Sequence, residues 1–236
     1  MKPQEIINLY ESCLKRIKVW NDIVSNPNMT EQEKVQTQLD CSVEEAKETI
    51  LAILTKDNKN IMDGVADILV TSGHLINTYI YPFHYTSYDF GQVNEDMIKE
   101  LALTPSEDDM LCSVAELYSK LARCKELSHE DILVILTIFF AKYGDDLKKY
   151  IHAVLSSNDT KYVSFNDDVV DDTEMELQDR LDKLLSYANL KYGDDHGEIV
   201  VTTVNYENKP YYVLRADGGK GKVLKPYTYK EPSEFL

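Results

Sequence analysis

A short stretch of this chain occurs twice, and that duplication narrows the fold more than any other feature. Cys41-Ser42-Val43-Glu44-Glu45 recurs as Cys112-Ser113-Val114-Ala115-Glu116, and Asp67-Ile68-Leu69-Val70 recurs as Asp131-Ile132-Leu133-Val134. Both matches keep their order, with an offset of 71 positions for the first and 64 for the second, so the connection inside the second copy is shorter. Each match lies where apolar residues recur three and four apart, the period of a helix with one buried face. A duplicated helical hairpin follows. Because each hairpin must bury its apolar stripe, two of them facing each other predict a four-helix bundle. The copies differ in chemistry: Glu48 of the first corresponds to Ser119 of the second, and Asp63 corresponds to Leu127.

The same periodicity extends to about residue 157. Ile6, Ile7, Leu14, Ile17 and Trp20 mark a first helix, stopped by the turn signal Asn26-Pro27-Asn28. Thr30 followed by Glu33 reads as a capping box for a long second helix, and residues 55–60 read as a polar loop before a third helix from near Ile61 to about Tyr79. Residues 80–104 are aromatic and poorly periodic, with a short helix expected at 94–102. Ser106 with Asp109, and Ser128, read as caps of the next two helices, and Asp145 starts another to Leu155. After that the pattern changes. One helix is expected at about 173–190 within the acidic stretch 164–198. Glu198–Val204 and Pro210–Leu214 read as a hairpin joined by residues 205–209, with a last short strand at Lys222–Leu224. The predicted fold class is mainly α: a four-helix-bundle core with a small C-terminal β-hairpin appendage, divided at 1–157 and 158–236.

Charge excludes some classes of partner. With 41 acidic against 25 basic residues the formal charge is −16, which leaves no basic excess for a face that neutralises phosphates, so nucleic acid is not an expected partner. The longest strongly apolar stretch, Ile132–Phe140, is far shorter than the ~20 residues of a bilayer span, and no membrane association is expected. The opening residues show no secretion signal, so a cytoplasmic location is expected. Cys13, Cys41, Cys112 and Cys124 form no CxxC pair and do not combine with the histidines at zinc spacing; they read as buried reduced thiols.

The chemistry-bearing residues are carboxylates. Glu44, Glu45 and Glu48 share one helix, and Asp63 and Asp67, four apart, share a face of the next. If those helices pack antiparallel, both sets meet, and such a cluster repels itself unless a cation sits within it. All-oxygen ligation suits Mg²⁺ or Mn²⁺. The alternative is a solvated, salt-bridged surface balanced by Lys34 and Lys47.

At this point the sequence resembles a family. VEEAKE (43–48), with fourteen residues between Glu48 and the start of DGVADILV (63–70), is similar to the ExxE…DxxxD signature of the all-α nucleoside triphosphate pyrophosphohydrolases, the MazG-like and dimeric dUTPase-like superfamily. Val19-Trp20-Asn21-Asp22 with Pro27 resembles the first-helix segment of MazG-like proteins. His152–Lys161 and Arg215–Pro226 resemble segments of phage members. Much of the group places its third acid three residues before the last Asp; that position is Gly64 here, and Asp63 lies one residue further back.

The resemblance implies an enzyme that hydrolyses (deoxy)nucleoside triphosphates between the α and β phosphates, giving monophosphate and pyrophosphate. It implies Mg²⁺ or Mn²⁺ held by Glu45, Glu48, Asp63 and Asp67, with Glu44 or Glu48 taking the proton of the attacking water. Trp20 and Asn21 are then expected at the base, and Asn158 and Lys161 at the triphosphate. Arg215, Lys220, Lys222 and Lys225 would close over phosphates or, more in keeping with the charge pattern, dock on the acidic segment. Dimers or tetramers are the group's habit, and a phage-encoded member would work in the host cytoplasm. Two other readings compete: a non-catalytic helical interaction module on the same fold, and a phosphoribosyl-ATP pyrophosphohydrolase.

Overall fold

A computed structural model describes residues 2–80, 105–123, 127–165, 174–193, 195–219 and 221–236. The expected helix at 94–102, Cys124 and Lys220 lie outside the described residues. The fold is mainly helical, with seven α-helices and a two-stranded antiparallel sheet among the described residues. These are α1 (Pro3–Val24), α2 (Glu31–Thr55), α3 (Asn58–Leu75, extended by a π-helical turn Ile76–Ile80), α4 (Glu107–Leu121), α5 (His129–Tyr143), α6 (Asp145–Asn158) and α7 (Glu174–Tyr192), followed by β1 (Val200–Tyr206) and β2 (Lys209–Arg215). No described helix is long and apolar enough to cross a membrane.

The chain divides into two compact units. The first comprises residues 1–18, 32–155 and 236; the second comprises 19–31 and 156–235. The second unit thus starts two residues before the expected boundary and takes in Val19–Glu31 from the opposite end of the chain.

The duplicated hairpins, α2–α3 and α4–α5, build the first unit. α5 packs against both α3 and α4. Matched positions are buried alike: Val65 and His129, Ile68 and Ile132, Leu69 and Leu133, Leu75 and Phe139. Lys47 of α2 lies with its ammonium over the ring of Tyr118 of α4, 5.9 Å from the centroid. The offset of 71 makes Tyr118 the counterpart of Lys47, so equivalent positions of the two copies meet at this point. Apolar side chains of α1 (Ile6, Leu14, Ile17) and α6 (Leu147, Ile151, Val154) join the same core. The buried Tyr10 hydroxyl is 2.8 Å from His129 Nδ1, tying α1 to α5.

Local chemistry sets the helix boundaries. Ser106 and Asp109 cap α4 reciprocally, each backbone N–H donating to the other's side chain. The α2–α3 connection is tighter than the polar loop read at 55–60. Lys56 takes the left-handed conformation (φ 57°) that ends a helix, and the Asp57 carboxylate accepts from Asn60 N–H, so α3 already begins at Asn58. The expectation that the cysteines are buried holds for Cys13, whose thiol burial pushes up to about 12, but Cys41 is half-buried and Cys112 exposed.

In the second unit, α7 buries Leu184 and Ala188 against Ile199, Tyr212 and Leu214 of the hairpin region. β1 and β2 pair from Val200↔Arg215 to Tyr206↔Lys209. The turn is only Glu207-Asn208, shorter than the five residues read from the sequence. Both take positive φ (49° and 65°), which matches the twist of the strands and lets them pair to their ends. The strand expected at Lys222–Leu224 is reduced to one bridge, Arg215↔Val223, because the chain reaches Pro226, which has no N–H to donate, two residues after Leu224.

Candidate functional site

α2 and α3 run antiparallel, and two contacts fix how closely. Gln38 Nε2 donates to Thr71 O at 2.8 Å. Nearer the connection, Gly64 faces the backbone of α2: a Cβ at position 64 would stand 3.4 Å from Thr49 Cα and collide with Thr49 Oγ1. Thr49 itself is fully buried, its hydroxyl donating to Glu45 O at 2.8 Å. The hairpin therefore closes one turn from the acidic residues on each helix. This gives a physical reason for the departure at position 64. An acid there has no room, and the carboxylate sits at Asp63 instead.

The closure leaves a cavity of about 410 Å³, lined by Glu45, Glu48, Leu51, Ala52, Thr55, Asn60, Asp63, Gly64 and Asp67. The four carboxylates expected to act together share this cavity. Asp63 and Asp67 are half-buried, as is Glu45; Glu48 is exposed at the rim. Glu44 is exposed and does not line the cavity. The lining residues include no lysine, arginine or histidine, and the ammonium of Lys47 is over Tyr118.

Electrostatics mark Glu45 as the centre of the group. Its carboxyl is pushed up to about 8, first by burial and then by the charges of Asp67, Glu48, Glu44 and Asp63. An acid held this far above its ordinary value by burial and by four neighbouring carboxylates marks a place where negative charge is concentrated. Oxygen donors of this kind are the ligands that Mg²⁺ and Mn²⁺ take. The side chains are not closed on a common point, however. Among the described residues no group of three or more His, Cys, Asp or Glu stands ready to hold a metal ion.

The residues expected at the substrate belong to the second unit and the acids to the first. Three of them meet. Trp20 Nε1 donates to Asn158 O at 2.7 Å, Lys161 N–H donates to the same carbonyl at 2.9 Å, and Lys161 Nζ lies 5.7 Å from the Trp20 ring centroid. Trp20 also packs against Ile23, Val24 and Val213. Its indole N–H and part of its ring are thus engaged within the fold. Asn158 is buried and Asn21 half-buried.

Two of the four basic residues of the tail, Arg215 and Lys225, have partners given by the structure. Arg215 is 1% exposed and donates to Val24 O and Ser25 O at 2.6 and 3.1 Å, satisfying the last carbonyls of α1. Among the described residues its hydrogen bonds go to the end of α1 and not to the acidic segment, and burial lowers it to about 10. Lys225 pairs with Glu231 at 3.0 Å and lies 4.3 Å from the centre of the Tyr229 ring.

Sequence reasoning passed over Asn60, Thr55 and Leu51. Asn60 had a signal, since 60, 63, 64 and 67 follow the spacing of one helix face. Comparison with protein-family models, with curated proteins and with solved structures finds no match to this chain.

Proposed function

We propose that the protein hydrolyses (deoxy)nucleoside triphosphates between the α and β phosphates in a divalent-cation-dependent reaction, releasing a nucleoside monophosphate and pyrophosphate. The observation that carries this reading is Glu45, raised to about 8 by burial and by four neighbouring carboxylates, three of which line the same cavity with no cationic side chain in its lining. The resemblance of the acid pattern at 44–48 and 63–67 to that of the pyrophosphohydrolases supplies the reaction.

Glu45, Asp63 and Asp67 would hold Mg²⁺ or Mn²⁺, with Glu48 reaching in from the rim. When bound, the cation supplies charge that offsets the phosphate oxygens against an acidic protein. A carboxylate not taken up by the metal accepts the proton of the attacking water. Glu48 suits this task better than Glu44, because Glu48 lines the cavity and is exposed to solvent. Leu51 and Ala52 give the cavity an apolar wall, and Asn60, one of whose amide hydrogens already goes to Asp57, gives it a neutral polar group. Trp20, Asn21, Asn158 and Lys161 are assigned to the substrate as the second part of the same proposal.

The test is a panel of canonical and modified nucleoside triphosphates with Mg²⁺ or Mn²⁺, read as pyrophosphate release. Glu48→Gln and Asp67→Asn are expected to lower turnover at least a hundredfold while circular dichroism stays helical. Wild-type activity in both variants would overturn the site. A non-catalytic helical module is the second reading, favoured by the carboxylates not being closed on one point. It predicts a folded protein that releases no pyrophosphate from any member of the panel.

A further inference from the structure

One edge of the β-hairpin is covered by the chain and the other is open. The two-residue turn makes Tyr206 and Lys209 a hydrogen-bonded pair, and the register then decides which backbone groups face outward: those of Pro210, Tyr212 and Leu214 on β2, and those of Val201, Thr203 and Asn205 on β1. On β2 the chain meets this edge itself. Val163 N–H donates to Tyr212 O at 3.0 Å and Tyr212 N–H to Val163 O at 2.8 Å, and Leu224 N–H donates to Leu214 O at 2.9 Å. On β1, among the described residues, nothing pairs with the outward N–H and C=O groups of Val201, Thr203 and Asn205.

The sequence of the open edge lacks the usual protection. Proteins keep an edge strand from pairing with other chains by placing lysine or proline on it, by a bulge, or by making it short. β2 carries Lys209 and Pro210 although its edge is already met. β1 is seven residues long and pairs with β2 in unbroken register, and Ile199–Tyr206 reads IVVTTVNY, without a charge, a proline or a glycine. Thr203 and Asn205 are exposed. Charge also bears on what such an edge can meet. A chain of net charge −16 repels its own copies over most of its surface, and an uncharged strip is where two of them meet at least electrostatic cost.

We propose that β1 pairs with β1 of a second copy of this chain, antiparallel about a two-fold axis at Thr203, so that two hairpins form one four-stranded sheet. This register sets Thr203 opposite the partner's Thr203 and Val201 opposite the partner's Asn205, and it uses the outward N–H and C=O groups of all three residues on both strands. Thr202 then lies across from the partner's Val204. The strand is thus complementary to itself when reversed: β-branched side chains and threonines face each other, and no like charges are opposed. The pairing does not depend on what the acidic cavity between α2 and α3 binds.

The test is the mass of the full chain in solution, by sedimentation velocity or light scattering, in the wild type and in Thr203→Pro. The wild type is expected to be a dimer. Proline at position 203 removes an N–H that faces the open edge, so it costs no hydrogen bond between β1 and β2 and is tolerated by an edge strand. Thr203→Pro is therefore expected to be monomeric at concentrations where the wild type is dimeric, with the same circular dichroism. A folded Thr203→Pro that stays dimeric overturns the proposal, and so does a wild type that remains monomeric up to hundreds of micromolar, the result expected if an extended peptide of another protein occupies the edge. Thr203→Cys serves if the proline variant does not fold. Opposed residues of a hydrogen-bonded antiparallel pair have Cα atoms about 5.5 Å apart, within the reach of a disulfide. Mild oxidation is expected to link two Thr203→Cys chains well beyond the level that the native cysteines give in the wild type, and to leave Asn205→Cys, which faces the partner's Val201, at that level. No excess of linked Thr203→Cys chains overturns the pairing.

Discussion

Glu45 turns a structural observation into a dependence on pH. Folded, it keeps its proton up to about pH 8, against an ordinary value of 4.5. Between those values the folded state binds more protons than the unfolded chain, so its contribution makes stability fall as pH rises through that window. Glu45→Gln removes this slope. The variant and the wild type should melt together near pH 5, with the variant higher by about 2–6 °C at pH 8 without metal. Mn²⁺ should narrow the gap by stabilising the wild type only. A melting difference independent of pH would remove Glu45 from the centre of the cluster. Gly64 makes a second prediction. Alanine there should cost about 1–3 kcal/mol, outweighing the roughly 1 kcal/mol it gains in helix propensity, because α2 and α3 must part. In a Thr49→Ala background the loss should shrink by at least half, measured by urea denaturation of the four proteins of the cycle.

At the level of elements, the ends that depend on neighbouring residues were legible and those that depend on distant ones were not. Ser106 and Asp109, three apart before an apolar run, announce the start of α4, and the structure has the reciprocal cap there. Asp63 and Asp67 declare a shared face by spacing alone. The end of α1 is different. Asn26-Pro27-Asn28 predicts that the helix stops, but nothing near it predicts that Arg215, 190 residues later, holds its last carbonyls. Arg215 read as one cation among several because its sequence neighbours are charged and glycine-rich, and only the hairpin carries it inward. Arg215→Met should destabilise the fold by about 1.5–3 kcal/mol, the cost of charge-assisted hydrogen bonds lost at a buried helix end. Arg215→Lys should recover little, because one ammonium cannot reproduce the fork of the guanidinium. Equal stability of Arg215→Lys and the wild type in chemical denaturation would refute the capping role. The β-turn misled for a related reason. Glu207-Asn208 lacks the glycine that usually marks a two-residue turn, so the connection was read as longer. Asn208→Gly should relieve the left-handed strain and raise stability by a few tenths to about 1 kcal/mol.

At the scale of the whole molecule, the duplication was the most informative signal because it constrains two helix pairs together. It predicted which residues share the core, and the matched burial of Ile68 with Ile132 and Leu69 with Leu133 agrees. It did not predict that α1 and α6 would join the same core, since an amphipathic helix outside a repeat carries no address. Nor did it reveal how close the acids come, because that distance is set by the absence of a side chain at Gly64. The division of the chain has its own consequence. The second unit draws on Val19–Glu31 and on everything from Ser156 to Phe235. A ribosome releases the first of these segments well before the second, so Val24 and Ser25 wait with unmet carbonyls until Arg215 has left the exit tunnel. The order of translation therefore makes the hairpin unit become native after the bundle, and a nascent chain stalled before Arg215 would carry a complete bundle and an α1 whose end is still uncapped.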